Sequence, residues 1–183
     1  MRFSDLLLNL YSWSRKRQFR NDYPILLRLL DPKKEDVILD VGAGTGVIAN
    51  EIANISDDMF ALEPNNSRVE YIKRKFPQVK AFNGVSESIP FPEAYFSKAY
   101  STSAFHHFPD QEGALYELNR VIKSNGILVI NDLLPGKVKL ESRVAKVKFL
   151  SQKELGEKLE QSGFEVKETA RGRKGYFILS TKS

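Results

Sequence analysis

The stretch VILDVGAGTGVIAN, residues Val37 to Asn50, decides the fold. Its first five residues are apolar apart from Asp40, and Val37, Ile38 and Val41 are β-branched, so Val37–Val41 reads as a buried strand. Gly42, Gly44 and Gly46 follow at alternate positions, and Ile48, Ile52 and Ile55 then recur at helical spacing. A strand, a tight glycine turn and a helix, in that order, is how open α/β sheets hold nucleotide-like ligands. Glycine admits positive φ and lets a ligand reach the backbone. The first helical amides add an anion site.

The spacing narrows the ligand. A dinucleotide fingerprint wants G-x-G-x-x-G/A. Here the third glycine falls one residue early, at Gly46, and Val47 holds the fingerprint position. No Lys-Ser/Thr pair follows, so the turn is not a Walker loop. Glu63 ends the next apolar run. A carboxylate there can accept hydrogen bonds from both ribose hydroxyls, and it would repel a 2′-phosphate.

Elements alternate along the rest of the chain. Met59–Leu62 reads as a second strand, ended by Glu63-Pro64. Val69, Ile72 and Phe76 mark a helix that Pro77 stops. Val79–Phe82 and Phe96–Thr102 read as third and fourth strands. Asp110 can cap a helix whose buried face is Leu115, Leu118 and Ile122, and Asn125-Gly126 ends it. Ile127–Ile130 is a fifth strand. Ser151 and Glu154 form a capping box for a helix that Gly163 closes. Phe164–Thr169 and Tyr176–Thr181 are the last two strands.

This alternation predicts a doubly wound α/β fold with a mostly parallel sheet. The short link before Tyr176 allows only a hairpin, so the last strand is expected to be antiparallel. Residues 1–183 are read as a single domain. Residues 1–30 form a helical N-terminal part and 31–183 the α/β core.

Composition excludes several chemistries. The 183 residues contain no cysteine, so no disulfide, thiolate metal site or thiol mechanism is available. No apolar run approaches the ~20 residues of a membrane span, and no signal-peptide pattern opens the chain. The expected location is the cytoplasm. The net charge of +5 is uneven: +3 over residues 1–36, −4 over 37–132 and +6 over 133–183. A basic flank meets either an acidic partner or water alone.

Five segments in order carry a resemblance: VILDVGAGTG, ALEPN, SESIPFPEAYFS, STSAFHHFPD and LNRVIKSNGILVIND. Together they resemble the motifs of class I S-adenosylmethionine-dependent methyltransferases, in the small-molecule, quinone-biosynthesis-like branch. The likeness spans roughly Leu29 to Lys182. It implies a Rossmann-like, seven-stranded sheet with an antiparallel last strand, and S-adenosylmethionine as cofactor.

It also implies roles. Asp40 lies near the methionine end of the cofactor, with Gly42, Ala43, Gly44, Thr45 and Gly46 forming the turn along it. Glu63 holds the ribose, with Pro64 and Asn65 beside it. Ser86 and Glu87 sit near the adenine. Ser101, Ser103 and His106 face the methyl group and substrate. The N-terminal helices would form a lid over the cofactor. Two positions depart from the family pattern. Val85 stands where an acidic residue often meets the adenine, leaving the Ser86 amide to serve. Phe96-Ser97 replaces the usual Phe-Asp.

Methyl transfer from a sulfonium is an in-line displacement with a neutral leaving group. Alignment and water exclusion are the main demands. A general base is needed only where the acceptor must shed a proton early. The only histidines are His106 and His107. His106 is the candidate base by location and titration range, or else it shapes its loop. The pair makes a poor metal site, and no metal is expected.

The loop lacks the Asn/Asp-Pro-Pro-Tyr/Phe signature of amino-group methylation, and cytosine C5 addition needs a cysteine. These exclusions leave O-, N- or C-methylation of an unidentified small molecule, the favoured reading, or methylation of a macromolecule by a less signed route. The segment Leu133–Phe149 is short and basic, which suggests an open acceptor site or a solvent-facing connector. YSWSRKRQFR, Tyr11–Arg20, interleaves aromatics with cations. It suits a lid, a basic amphipathic helix, or contact with nucleic acid or a membrane surface. The rival readings are a non-catalytic adenosylmethionine-binding sensor or partner subunit, and a nicotinamide dehydrogenase, which the glycine spacing disfavours.

Overall fold

A computed structural model describes residues 3–134 and 147–183. Helices α1 (Phe3–Phe19) and α2 (Tyr23–Leu30) precede strand β1 (Val37–Val41). Next come α3 (Val47–Ile52), β2 (Asp58–Glu63), α4 (Asn66–Lys75), β3 (Lys80–Asn83) and β4 (Phe96–Thr102). After a 3₁₀ turn at Phe105–His107 follow α5 (Gln111–Val121), β5 (Ile122–Leu133), α6 (Gln152–Gln161), β6 (Phe164–Arg171) and β7 (Gly175–Lys182).

The strands form one seven-stranded sheet in the order β3-β2-β1-β4-β5-β7-β6. The first five run parallel to one another, and β7 runs antiparallel between β5 and β6. The strand order reverses beside β1, so the C-terminal ends of β1 and β4 flank a crevice.

Alternation along the strands explains the two helical layers. Ile38, Met59, Tyr100 and Val129 point to one face, where Leu26, Leu30, Ile48 and Ile72 cover them. Leu39, Phe60, Ala99 and Leu128 point to the other, beneath Leu115, Leu118, Leu155 and Leu159. Strands buried on both sides read as continuous apolar runs, as VILDV does.

Local signals place the helix starts. Asn65 Oδ1 accepts from Arg68 N at 3.1 Å, and Asp110 Oδ1 accepts from Gly113 N at 3.0 Å. Ser151 and Glu154 form the reciprocal capping box, with bonds of 3.2 and 2.7 Å. Ser97 fills the place of the usual aspartate: its hydroxyl donates to Asp36 Oδ1 at 2.8 Å and accepts from Val37 N at 3.0 Å. It thereby ties the start of β1 to β4.

Two boundaries differ from the sequence reading. Ile122 does not belong to the α5 face, and Asn125-Gly126 does not end that helix. The backbone turns extended at Ile122 (φ −81°, ψ 139°), which pairs with Phe96 and opens β5. Asn125, at φ 59°, and Gly126 then fall inside the strand near a register shift against β4. A β-branched side chain fully buried beside a strand favours this extended start over a further helical turn. Ile55 also lies beyond its helix, because α3 stops at Ile52 and leaves Ile55 exposed.

Candidate active site

The glycine turn is tied to β2 before any ligand arrives. Gly42 N and Ala43 N both donate to the Leu62 carbonyl, at 2.9 and 3.1 Å. Gly44 N donates to Glu63 Oε2 at 2.9 Å, and Asn65 N donates to Glu63 Oε1 at 3.2 Å. Arg68 Nη1 approaches the same oxygen at 3.4 Å. Glu63 is thus buried and held by both oxygens, each with acceptor capacity left for a hydroxyl.

Above the turn lies a cavity of about 450 Å³. Four groups of residues line it. The first is the turn, Val41 to Thr45, and the second is the end of β2 with Leu62, Glu63 and Pro64. The third is the loop after β3, with Gly84, Val85, Ser86 and Glu87. The fourth is the segment after β4, including Thr102, Ser103, Ala104, His107 and Phe108. From α1, Tyr11 and Arg15 reach over the opening, and Arg15 Nη2 donates to the Thr102 carbonyl at 3.2 Å. The Arg68 guanidinium lies 5.4 Å from the Tyr11 ring centre, and Tyr71 donates to Asn9 at 2.8 Å. These contacts hold α1 against α4 across the cavity mouth.

The glycines divide by what surrounds them. A Cβ on Gly42 would stand 2.6 Å from Ala104 Cβ, so packing alone demands glycine there. A Cβ on Gly44 would meet nothing within 4 Å, although φ is +60°. That open space is a cradle where a ligand can touch backbone. Ser103 also adopts a left-handed φ of 49°, a strained value for serine. Its amide donates to the Asn131 carbonyl at 2.8 Å, which fixes the turn out of β4.

Three buried polar atoms around the turn find no partner among the described residues: Asp40 Oδ1, Thr45 Oγ1 and Ser101 Oγ. The other Asp40 oxygen accepts from the Tyr100 hydroxyl at 3.0 Å. Burial pushes the Asp40 carboxyl up to about 7, while the Tyr100 bond and the Arg15 charge oppose the rise. Glu63 adds to it. Unpaired acceptors in so buried a place suit a ligand with cationic and hydroxyl groups.

Of the sequence-selected residues, the structure brings Gly42, Ala43, Gly44, Thr45, Glu63, Pro64, Ser86, Glu87 and Ser103 to the cavity wall. It does not bring Asp40, Gly46, Asn65, Ser101 or His106 there. Asn65 caps α4 instead, and Gly46 lies against Ile72. His106 is buried, with Nδ1 2.5 Å from Asp132 Oδ1. Its ring stacks on Phe149 at 4.6 Å.

His107 is the histidine that lines the cavity. Burial lowers its pKa below the ordinary 6.5, and the neighbouring His106 lowers it further. Of the segment read as a lid, Tyr11 and Arg15 are the residues that reach the wall, whereas Arg68 and Phe108 are wall residues that sequence reasoning did not single out. Arg68 carried a signal, since a cation in the first turn after an acidic strand end faces that carboxylate. Of the short connector, Val138, Leu140 and Val144 lie outside the described residues. Among the described residues, no group of three or more His, Asp or Glu could hold a metal ion.

The profile of a family described as methyltransferase domain matches residues 39–130, half of the chain. The chain belongs to the methyltransferase domain family. An uncharacterized methyltransferase of Oceanobacillus iheyensis is 25% identical, covering 81% of this chain and 71% of that one. The demethylmenaquinone methyltransferase of Thermotoga maritima is 26% identical, covering 74% and 58%. A solved S-adenosylmethionine-dependent methyltransferase from Aquifex aeolicus shares the fold with a TM-score of 0.80, over 100% of both chains at 21% identity.

The cofactor of this methyltransferase is S-adenosylmethionine, and its reaction is methyl transfer. The open cradle at Gly44, the unpaired Thr45 hydroxyl on the cavity wall and the carboxylate at the end of β2 fit that group.

Proposed function

We propose that this methyltransferase acts on a small-molecule acceptor, which meets the cofactor at the segment after β4. One observation carries the reading: a single cavity joins the glycine turn and Glu63 to Ser103 and His107. The parallel β1, β2 and β4 end together at this crevice.

The roles follow from the wall. Glu63 accepts from the ribose hydroxyls with the oxygens that the Gly44 and Asn65 amides already orient. Leu62, Val85 and the Ser86 amide form the adenine side. Thr45 supplies an acceptor toward the methionine end, and Asp40, bonded to Tyr100 behind the wall, braces the strand that carries the turn. S-adenosylmethionine supplies the methyl group as a sulfonium with a good leaving group. Alignment, rather than proton transfer, carries most of the work. Tyr11 and Arg15 of α1 act as a lid that keeps water out.

The proton-accepting role read for His106 passes to His107 for acceptors that must lose a proton. His107 reaches the cavity and stays neutral at pH 7, whereas His106 is turned to Asp132. His106 serves by bracing the loop. The demethylmenaquinone relative favours a compact aromatic or quinol-like acceptor, and the aromatic Tyr11 and Phe108 could flank such a ring.

A labelled-methyl screen of phenolic, quinol and amine small molecules tests the proposal. We expect transfer to a small acceptor, with His107→Gln lowering kcat about 10²-fold or more on a hydroxyl acceptor and sparing cofactor affinity. Label appearing only in protein or nucleic acid would refute the small-molecule reading. Undiminished kcat in His107→Gln would remove that residue as base.

A further inference from the structure

We propose that α1 is an interfacial docking helix whose outer face seats the methyltransferase on an anionic lipid bilayer. The helix is used on both sides. Its inner side is engaged with the protein: Ser12 and Phe19 are buried, and Arg15 bonds to β4. Its outer side carries large apolar groups in the open. Leu7 is 54% exposed, Leu10 58% and Trp13 63%.

The order of residues on that side is informative. Leu6, Leu10, Trp13 and Arg17 recur at intervals of three and four, so they form one stripe along the helix. Apolar residues come first, then the tryptophan, then cations, with Arg20 just beyond the helix end. The Arg17 guanidinium lies 5.5 Å from the centre of the Trp13 ring. A separate cavity of about 490 Å³ opens beside them, lined by Trp13, Phe19, Tyr23 and Ile48, by Arg17 and Arg20, and by Lys16 and Glu51, which pair with each other. An apolar wall with a guanidinium rim is complementary to an acyl chain under an anionic headgroup.

An anionic bilayer explains the leucines, the tryptophan and the two arginines together, while Lys16 neutralises the Glu51 carboxylate. Leucines enter the acyl boundary, tryptophan sits at headgroup level, and Arg17 and Arg20 meet lipid phosphates. A nucleic-acid backbone would use the cations but leave Leu7 and Leu10 in water. No helix among the described residues is long and apolar enough to cross a membrane, so α1 lies in the interface plane. The docked face is the back of the same helix that lines the cofactor cavity with Tyr11 and Arg15. The inference does not depend on which acceptor is methylated.

Trp13 is the sole tryptophan and reports directly on this face. The full chain is titrated with vesicles of phosphatidylcholine, with and without phosphatidylglycerol, while Trp13 emission and co-sedimentation are followed. We expect a blue shift and pelleting with the anionic vesicles, weakened by added salt. Arg17→Ala and Arg20→Ala should each lower partitioning about fivefold, and Leu10→Glu at least about tenfold. Retained S-adenosylhomocysteine binding shows that Leu10→Glu is folded, and Leu7→Gln is the milder second variant. Unchanged Trp13 emission with the protein left in the supernatant would overturn the proposal. So would wild-type partitioning of both leucine variants, or a Trp13 response to a single-stranded oligonucleotide alone.

Discussion

Asp40 shows what one buried side chain does to the whole. It is 1% exposed, and its carboxyl titrates near 7 instead of near 3.8. The folded state therefore holds the Asp40 proton more tightly than the unfolded chain does. Its contribution to stability is full below about 4, declines as pH rises toward 7, and stays flat above. Asp40→Asn should remove this decline. At pH 8 the variant should be more stable than wild type, by roughly 1–3 kcal/mol. Denaturant unfolding at pH 5 and pH 8 checks the sign. A wild type and variant that differ equally at both pH values would show that Asp40 is not the titrating group. The histidines teach a related lesson. Their adjacency was legible in the sequence, but which one faces the cavity was not. A 3₁₀ turn sends neighbouring side chains in different directions, and Asp132, twenty-six residues on from His106, claims that ring.

At the scale of elements, the glycine turn and β2 act as one unit. Glu63 is the joint: it accepts from Gly44 N and Asn65 N and so holds the turn, the strand end and the start of α4 together. Glu63→Gln keeps the shape, removes the charge and replaces one acceptor oxygen by a donor. We expect S-adenosylhomocysteine affinity to fall by about 1–3 kcal/mol, the range for hydrogen bonds to a charged group. Unaltered affinity by calorimetry would show that the ribose does not use this carboxylate. The same elements show what a sequence reveals. VILDV, the alternate glycines and the Ser151/Glu154 capping box are local codes, and each forms where its code stands. The α5–β5 junction is not a local code. Ile122 fits a helical period as well as a strand, and only its pairing with Phe96 across the sheet decides. The lid reading of Tyr11–Arg20 marked the segment, but only the packing of α1 onto α4 decides that Arg15 and Tyr11 are its wall residues.

For the whole molecule, the sheet order places the cofactor. β1 and β4 are neighbours, their C-terminal ends open the crevice, and helices cover both faces. The mildly acidic middle of the chain builds β1 to β5 and the crevice, while the basic first segment supplies α1, with its proposed lid and lipid-facing stripe. The central claim is that the VGAGTG turn holds S-adenosylmethionine rather than a dinucleotide. Calorimetric titration of the full chain with S-adenosylhomocysteine, with NAD in parallel, tests it most directly. The account predicts micromolar, one-to-one binding of S-adenosylhomocysteine and no heat with NAD. Saturable NAD binding, with none of S-adenosylhomocysteine, would contradict it.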